Sequence, residues 1–224
     1  MEVKNKFEVR TAVLIDGGFY RKRANYFWGV KTPKERADEL CDYCMKLLHS
    51  PSEHRSLYRI FYYDCPPINK KVYHPLLKKT IDLGRTDDYK WSMDFYDELR
   101  CKRKFAVRLG NLSENTAHYI LKQDAVKKLM NKAITVDELT ESDFRFNVEQ
   151  KGVDMRIGVD IISMALKKQV QQIIFISGDS DFVPAAKQAR REGLDVILAP
   201  MGAVIKSDLH EHIDGLINRP ATKS

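Results

Sequence analysis

The chain has little of what marks secreted, membrane-bound or fibrous proteins. Of its 224 residues only four are cysteines, Cys41, Cys44, Cys65 and Cys101, and their spacing traces no disulfide framework. No apolar run approaches the roughly twenty residues needed to span a bilayer. The opening Met1-Glu2-Val3-Lys4-Asn5-Lys6 is followed by no apolar h-region or small-residue cleavage site, so no signal peptide is expected. Internal repeats and low-complexity segments are missing too. These absences lead to the expectation of a reduced, cytoplasmic protein with no membrane partner.

What is present suits a packed α/β domain. Hydrophobic residues make up 43% of the chain, enough for a core, and charged residues 31%. The formal net charge of +7 suits a polyanionic partner, although charge governs association and not fold. Cys41 and Cys44 form a Cys-x-x-Cys pair, but no second pair or histidine follows at ligand spacing. They lie in Lys34–His49 among Ala37, Leu40, Leu47 and Leu48, a spacing that reads as the apolar face of a helix. His210 and His212 read as surface residues of a terminal helix.

Strand and helix signals alternate along the chain. Ala12–Ile15, Leu57–Tyr63, Lys104–Leu109, Gln172–Ile176 and Leu194–Leu198 read as strands. Phe19–Trp28, Lys34–His49, Ile120–Met130, Met155–Lys168 and Phe182–Glu192 read as helices, with a closing helix within Val204–Leu216. Phe144, Phe146 and Val148 alternate with polar neighbours, as in an edge strand or β-arm. The expected fold is a Rossmann-like, mostly parallel sheet with helices on both faces, in three layers α/β/α. Residues 1–224 are expected to form a single domain, with an inserted lid or β-arm at about 110–145.

Carboxylates collect where such a sheet places its sites, at the carboxyl ends of strands. Asp16 closes the apolar run Ala12-Val13-Leu14-Ile15 and precedes Gly17-Gly18. Asp179 and Asp181 follow Ile173-Ile174-Phe175-Ile176. Asp154 opens an apolar helical stretch, with Asp160 six residues on, off its face of an ideal helix. Each acid has a plainer reading: a turn aspartate at 16, helix caps at Ser180 or Asp181. Several acids on one sheet edge raise each other's pKa unless a cation compensates, and Mg²⁺ or Mn²⁺ does so through oxygen ligands. Asp64 ends another strand, before Pro66-Pro67, and could line the same cleft.

Leu14-Ile15-Asp16-Gly17-Gly18, Lys151-Gly152-Val153-Asp154 with Asp160, and Ser177-Gly178-Asp179-Ser180-Asp181-Phe182 resemble the motifs of NYN domains. These are PIN-like nucleases that include the LabA-like bacterial proteins. The resemblance is clearest from Lys151 to Pro200. It implies a PIN-like sheet with an acidic pocket for Mg²⁺ or Mn²⁺ and hydrolysis of RNA phosphodiester bonds by an activated water. Carried over residue by residue, it makes Asp16, Asp154, Asp179 and Asp181 the catalytic and metal-site acids, with Asp160 in support. Ser177 and Ser180 would orient water or phosphate. One position departs from the pattern: many members carry asparagine three residues after the first aspartate, where this chain has Phe19.

RNA contacts are expected from the densest basic clusters, Arg21 and Arg23 in one and Lys102, Arg103 and Lys104 in the other. Two other readings compete with the ribonuclease. One is a non-catalytic, RNA-binding or regulatory member of the same family. The other is a haloacid-dehalogenase-type phosphatase, which wants a second aspartate two residues after its nucleophile, where Gly18 stands. Oligomeric state, a homo-oligomer included, is left open by the sequence.

Overall fold

The computed structural model describes residues 8–218. The opening residues read above for a leader, 1–7, lie outside that range, as do 219–224. In chain order, β1 (Glu8–Asp16) leads into α1 (Gly17–Trp28), α2 (Pro33–Leu48) and β2 (His54–Asp64). Next come β3 (Lys71–His74), β4 (Lys79–Asp82), α3 (Asp87–Cys101), β5 (Phe105–Leu109) and β6 (Asn111–Leu112). They are followed by β7 (His118–Leu121), α4 (Gln123–Met130), β8 (Phe144–Asn147) and β9 (Gln150–Lys151). The last third holds α5 (Val153–Leu166), β10 (Gln172–Ile176), α6 (Val183–Arg191), β11 (Asp195–Leu198), α7 (Ser207–Glu211) and β12 (Gly215–Leu216).

The chain divides into two compact units. The first comprises Met1–Asp64, Asp94–Gly110 and Gly152–Ser224. Its sheet has six strands in the order β12-β11-β10-β1-β2-β5, and every pairing is parallel. A strand covered on both faces reads as a continuous apolar run, and Ala12-Val13-Leu14-Ile15 is fully buried. Because side chains alternate across a strand, Ala12 and Leu14 serve one face and Val13 and Ile15 the other. The first face packs on Ile157, Ile161 and Met164 of α5 and Val183, Ala186 and Ala189 of α6. On the second, Tyr62 meets Phe95 edge-on, ring centroids 5.6 Å apart. The sheet thus has helices on both sides, as expected of an α/β fold.

Local chemistry starts and stops these helices near their expected bounds. Helix α2 opens on a capping box, Thr32 with Glu35, and has Pro33 in its first turn. Within it Arg36 is 1% exposed yet satisfied: its guanidinium donates to Asn25 Oδ1 at 2.9 Å, to the Gly29 carbonyl and to Glu39. Cys44 is buried and Cys41 half-buried, as a helix face predicts. No helix among the described residues is long and apolar enough to cross a membrane.

The second unit comprises Cys65–Met93 and Asn111–Lys151, so it draws on a segment well before the stretch read as an insertion. It holds three antiparallel strand pairs, β3 with β4, β6 with β9 and β7 with β8. Its aromatic centre is His74, whose ring lies 4.3 Å from Tyr119 and 5.2 Å from Phe144. The helix expected over Ile120–Met130 starts only at Gln123. Residues 118–121 pair instead with Phe144–Asn147, and ladder bonds override their helical spacing. The alternation at Phe144 and Phe146 did mark a strand.

Gly17 sets how closely α1 approaches the sheet. A Cβ there would lie 2.6 Å from the Tyr62 ring and 2.7 Å from the Tyr63 carbonyl oxygen, and backbone cannot retreat cheaply. Gly17→Ala, favourable for an isolated helix, is therefore expected to destabilise the protein by about 1–3 kcal/mol in urea unfolding. A variant as stable as wild type would show that this contact is not tight.

Candidate metal centre

Strand register brings the expected acids to one edge. Ile15 is paired with Ile176, and Asp16 with Tyr63, so β1, β2 and β10 end at nearly the same level. From β1 the chain proceeds to β2 on one side, whereas β10 continues to β11 on the other. Their adjacent carboxyl ends therefore form a topological switch point, the place where open parallel sheets bind ligands. Asp16 stands at the end of one of these strands, and Ser177-Gly178-Asp179 follows the other.

Asp16 has two duties. It caps α1, accepting the Phe19 amide on Oδ1 at 3.0 Å, as the turn reading anticipated. Its Oδ2 accepts from the Ser177 hydroxyl at 3.4 Å. Burial raises its pKa above the ordinary value, and the charges of Asp64 and Asp179 add to that, while the Phe19 and Ser177 bonds oppose it. Ser177 is fully buried and also accepts the Asp179 amide at 3.2 Å. Ser177 thus ties the β1 and β10 ends together.

The loop beyond Ser177 is organised by Asp179, which accepts the Asp181 amide on Oδ1 at 3.1 Å. Both aspartates are exposed. The N-cap position of α6 is Phe182, which has no side-chain cap bond, and Pro184 lies in the first turn. The Ser180 side chain lies outside the described residues. Gly178 leaves room for Phe19, whose ring would stand 2.8 Å from a Cβ at that position. The aromatic that departs from the NYN pattern thus packs against this loop.

Asp154 joins the same group from α5. Its helix is capped by Gly152 in a left-handed conformation, φ 84°, and Asp154 sits in the first turn. Desolvation, then the charges of Asp179 and Asp181, raise its pKa. Asp179 therefore acts on both Asp16 and Asp154 and links the four acids into one repelling set. Among the described residues no three acids, histidines or cysteines already converge at metal-ligand spacing. The donor set is all carboxylate oxygen, which suits a hard cation that keeps several waters and takes only one or two protein ligands.

Asp160 has other partners. Its Oδ2 accepts from the Tyr63 hydroxyl at 2.9 Å and faces Arg108 Nε at 3.4 Å. It is not among the acids that shift Asp16 or Asp154. Asp64 lies near enough for its charge to raise the Asp16 pKa; it is 3% exposed, accepts from the Tyr62 hydroxyl at 3.1 Å and pairs with Arg21 at 3.0 Å. Its signal in the sequence was the same as that of Asp16, a carboxylate closing an apolar strand.

The basic residues expected to touch RNA are largely engaged within the fold. Arg21 is held by Asp64. Arg23 donates twice to the Met201 carbonyl, at 3.0 and 2.8 Å, and lies over the Phe27 ring. Lys102 bonds to Asp38 and Lys104 to the Leu57 carbonyl, while Arg103 is exposed. The last three immediately precede β5 and so lie at the amino end of the sheet, opposite the acids.

Residues 86–217 match the family model described as NYN domain. The matched stretch includes Asp154, Asp179 and Asp181 and begins after Asp16. No curated protein matches the chain. Among solved structures, the crystal structure of a protein of unknown function, VPA0982, from Vibrio parahaemolyticus RIMD 2210633 is similar at 15% identity and a TM-score of 0.48. That similarity covers 97% of this chain and 95% of the other.

An acid with a raised folded-state pKa is protonated more readily in the folded than in the unfolded chain. The fold is then favoured at low pH and loses stability as the pH rises above 3.8 through the raised value. Asparagine at position 16 keeps an oxygen for the Phe19 amide but carries no charge. Metal-free Asp16→Asn should therefore be more stable than wild type at pH 7, with the difference shrinking as the pH falls towards 3.8 in urea titrations. A difference that stays constant across this range would rule out charge burial as its cause.

Proposed function

The chain belongs to the NYN domain family, and from that premise we propose that it is a metal-dependent ribonuclease of the LabA-like branch, acting in the cytoplasm. The observation that carries this reading is the meeting of Asp16 and Asp179 at the switch point between β1 and β10, joined through Ser177. Carboxylates that repel one another are a poor arrangement for stability alone, and a divalent cation offsets that cost. Asp16, Asp179, Asp154 and Asp181 would hold Mg²⁺ or Mn²⁺, some directly and some through water. When bound, such an ion polarises a phosphoryl oxygen and lowers the pKa of water.

The protein's own groups do the remaining work. Ser177, held between the Asp16 carboxylate and the Asp179 amide, fixes the spacing of the two strand ends. Asp154, its pKa raised and its carboxylate exposed, is suited to take the proton from the attacking water. The asparagine of related motifs is replaced by Phe19, so no side-chain amide from that position orients the substrate. RNA would have to be gripped by other residues.

Purified protein is expected to cleave single-stranded or structured RNA with Mn²⁺ or Mg²⁺ and to stop in EDTA. Asp16→Asn and Asp179→Asn should each lower kcat by about 100-fold or more. Mn²⁺ should also raise the urea midpoint of the wild type and not that of either variant, because only a bound cation stabilises by mass action. Metal-dependent cleavage that survives both substitutions would sink this assignment.

A further inference from the structure

Arg108 is a cation that the fold leaves half-exposed beside Asp160. It occupies the fourth position of β5 and is in register with Tyr63 of β2, which is itself opposite Asp16 of β1. Register partners in adjacent strands share a face, so Asp16, Tyr63 and Arg108 form a row across three strands near their carboxyl ends. At the usual strand spacing the two ends of that row are about 10 Å apart. Helix α5 crosses the same face and supplies Asp154 to one end and Asp160 to the other.

The guanidinium is held on one side only. Its Nε faces Asp160 Oδ2 at 3.4 Å, and its carbon lies 5.7 Å from the centre of the Phe61 ring. The Tyr63 hydroxyl donates to the same Asp160 oxygen at 2.9 Å and fixes the carboxylate from beneath. The two terminal amino groups of Arg108 have no partner among the described residues, and the side chain is 46% exposed. Stability does not account for this arrangement, since an exposed ion pair contributes about 0–1 kcal/mol. A planar fork held at its root and free at its tips is what bidentate phosphate recognition uses.

We propose that Arg108 grips a backbone phosphate of the RNA substrate at the rim of the acidic site, and that Asp160 and Tyr63 are the positioning residues that aim it. The inference rests on the ribonuclease reading, and it gives Asp160 a task other than metal binding.

The test is the affinity of the full chain for a fluorescent single-stranded RNA, measured by anisotropy in EDTA across a salt series. Arg108→Gln should weaken binding about tenfold and lower the salt slope by about one phosphate contact. Arg108→Lys should keep the slope and lose part of the affinity, because an ammonium cannot form the paired contact. Asp160→Asn should weaken binding several-fold, and the double variant should bind no worse than Arg108→Gln alone. Lys167→Gln, at the far end of α5, should match wild type. Urea midpoints report folding, and Tyr63→Phe replaces Asp160→Asn should the latter not fold.

Wild-type affinity and slope in Arg108→Gln, or additive effects in the double variant, would overturn the proposal. Metal-dependent cleavage of the same RNA is scored separately. Cleavage with Arg108-independent binding removes this inference alone. Arg108-dependent binding without any cleavage supports it and removes the ribonuclease reading.

Discussion

The register of β1 is the constraint on which the rest of the site depends. This strand is clamped between β10 and β2, and its side chains are buried on both faces. Because strand side chains alternate with a period of two, a slip of one residue would turn Asp16 from the α5 face to the opposite one. It would also remove the oxygen that caps α1 and break the bond from Ser177. The apolar run from Ala12 to Ile15 prevents that slip on both sides at once, as each face has its own partners. A hydrophobic packing requirement thus sets the position of a carboxylate.

Around that fixed point the electrostatics are divided. The Asp64 charge is met by Arg21 and the Tyr62 hydroxyl, deep in the fold. Asp160 is met by Tyr63 and Arg108. Asp16 and Asp154 have raised pKa values, from burial first and then from the charge of Asp179 on both, with Asp64 adding to Asp16 and Asp181 to Asp154. The rim therefore carries two kinds of acid, Asp64 and Asp160, which are paired with arginines, and those with no cationic side chain among the groups that shift them. This division separates Asp160 from the other motif aspartates, although it shares its stretch of sequence and its helix with Asp154.

The architecture was readable because its signals are local. Buried strands appear as short apolar runs, and Thr32 with Pro33 and Glu35 announces α2 without help from tertiary structure. Asp16, Asp154, Asp179 and Asp181 could be grouped because each sits at the boundary of such an element. What could not be read depends on contacts between distant segments. The antiparallel pairing of residues 118–121 with 144–147 overrode a helical spacing, and residues 65–93 joined the second unit through strands too short to show a pattern. The placement of the basic clusters could not be read for the same reason. Charge density along the chain says nothing about which end of the sheet a lysine occupies, and Lys102 to Lys104 fall at the end away from the acids. Arg108, a single cation in a strand, gave no such signal.

The order of the strands in space differs from their order along the chain, and this bears on how the protein is made. β1 is the earliest of the described strands to leave the ribosome, and β2 can join it within some tens of residues. Its other edge must wait for β10, whose Gln172–Ile176 is synthesised much later. Until then the middle of the future sheet presents open hydrogen-bonding groups, the kind of edge that chaperones shield and that aggregation exploits. The contact between the Asp16 and Asp179 regions has a large sequence separation, which folds slowly. Assembly of the acidic rim is consequently a late event in biogenesis, and a growing chain lacks it until β10 has docked.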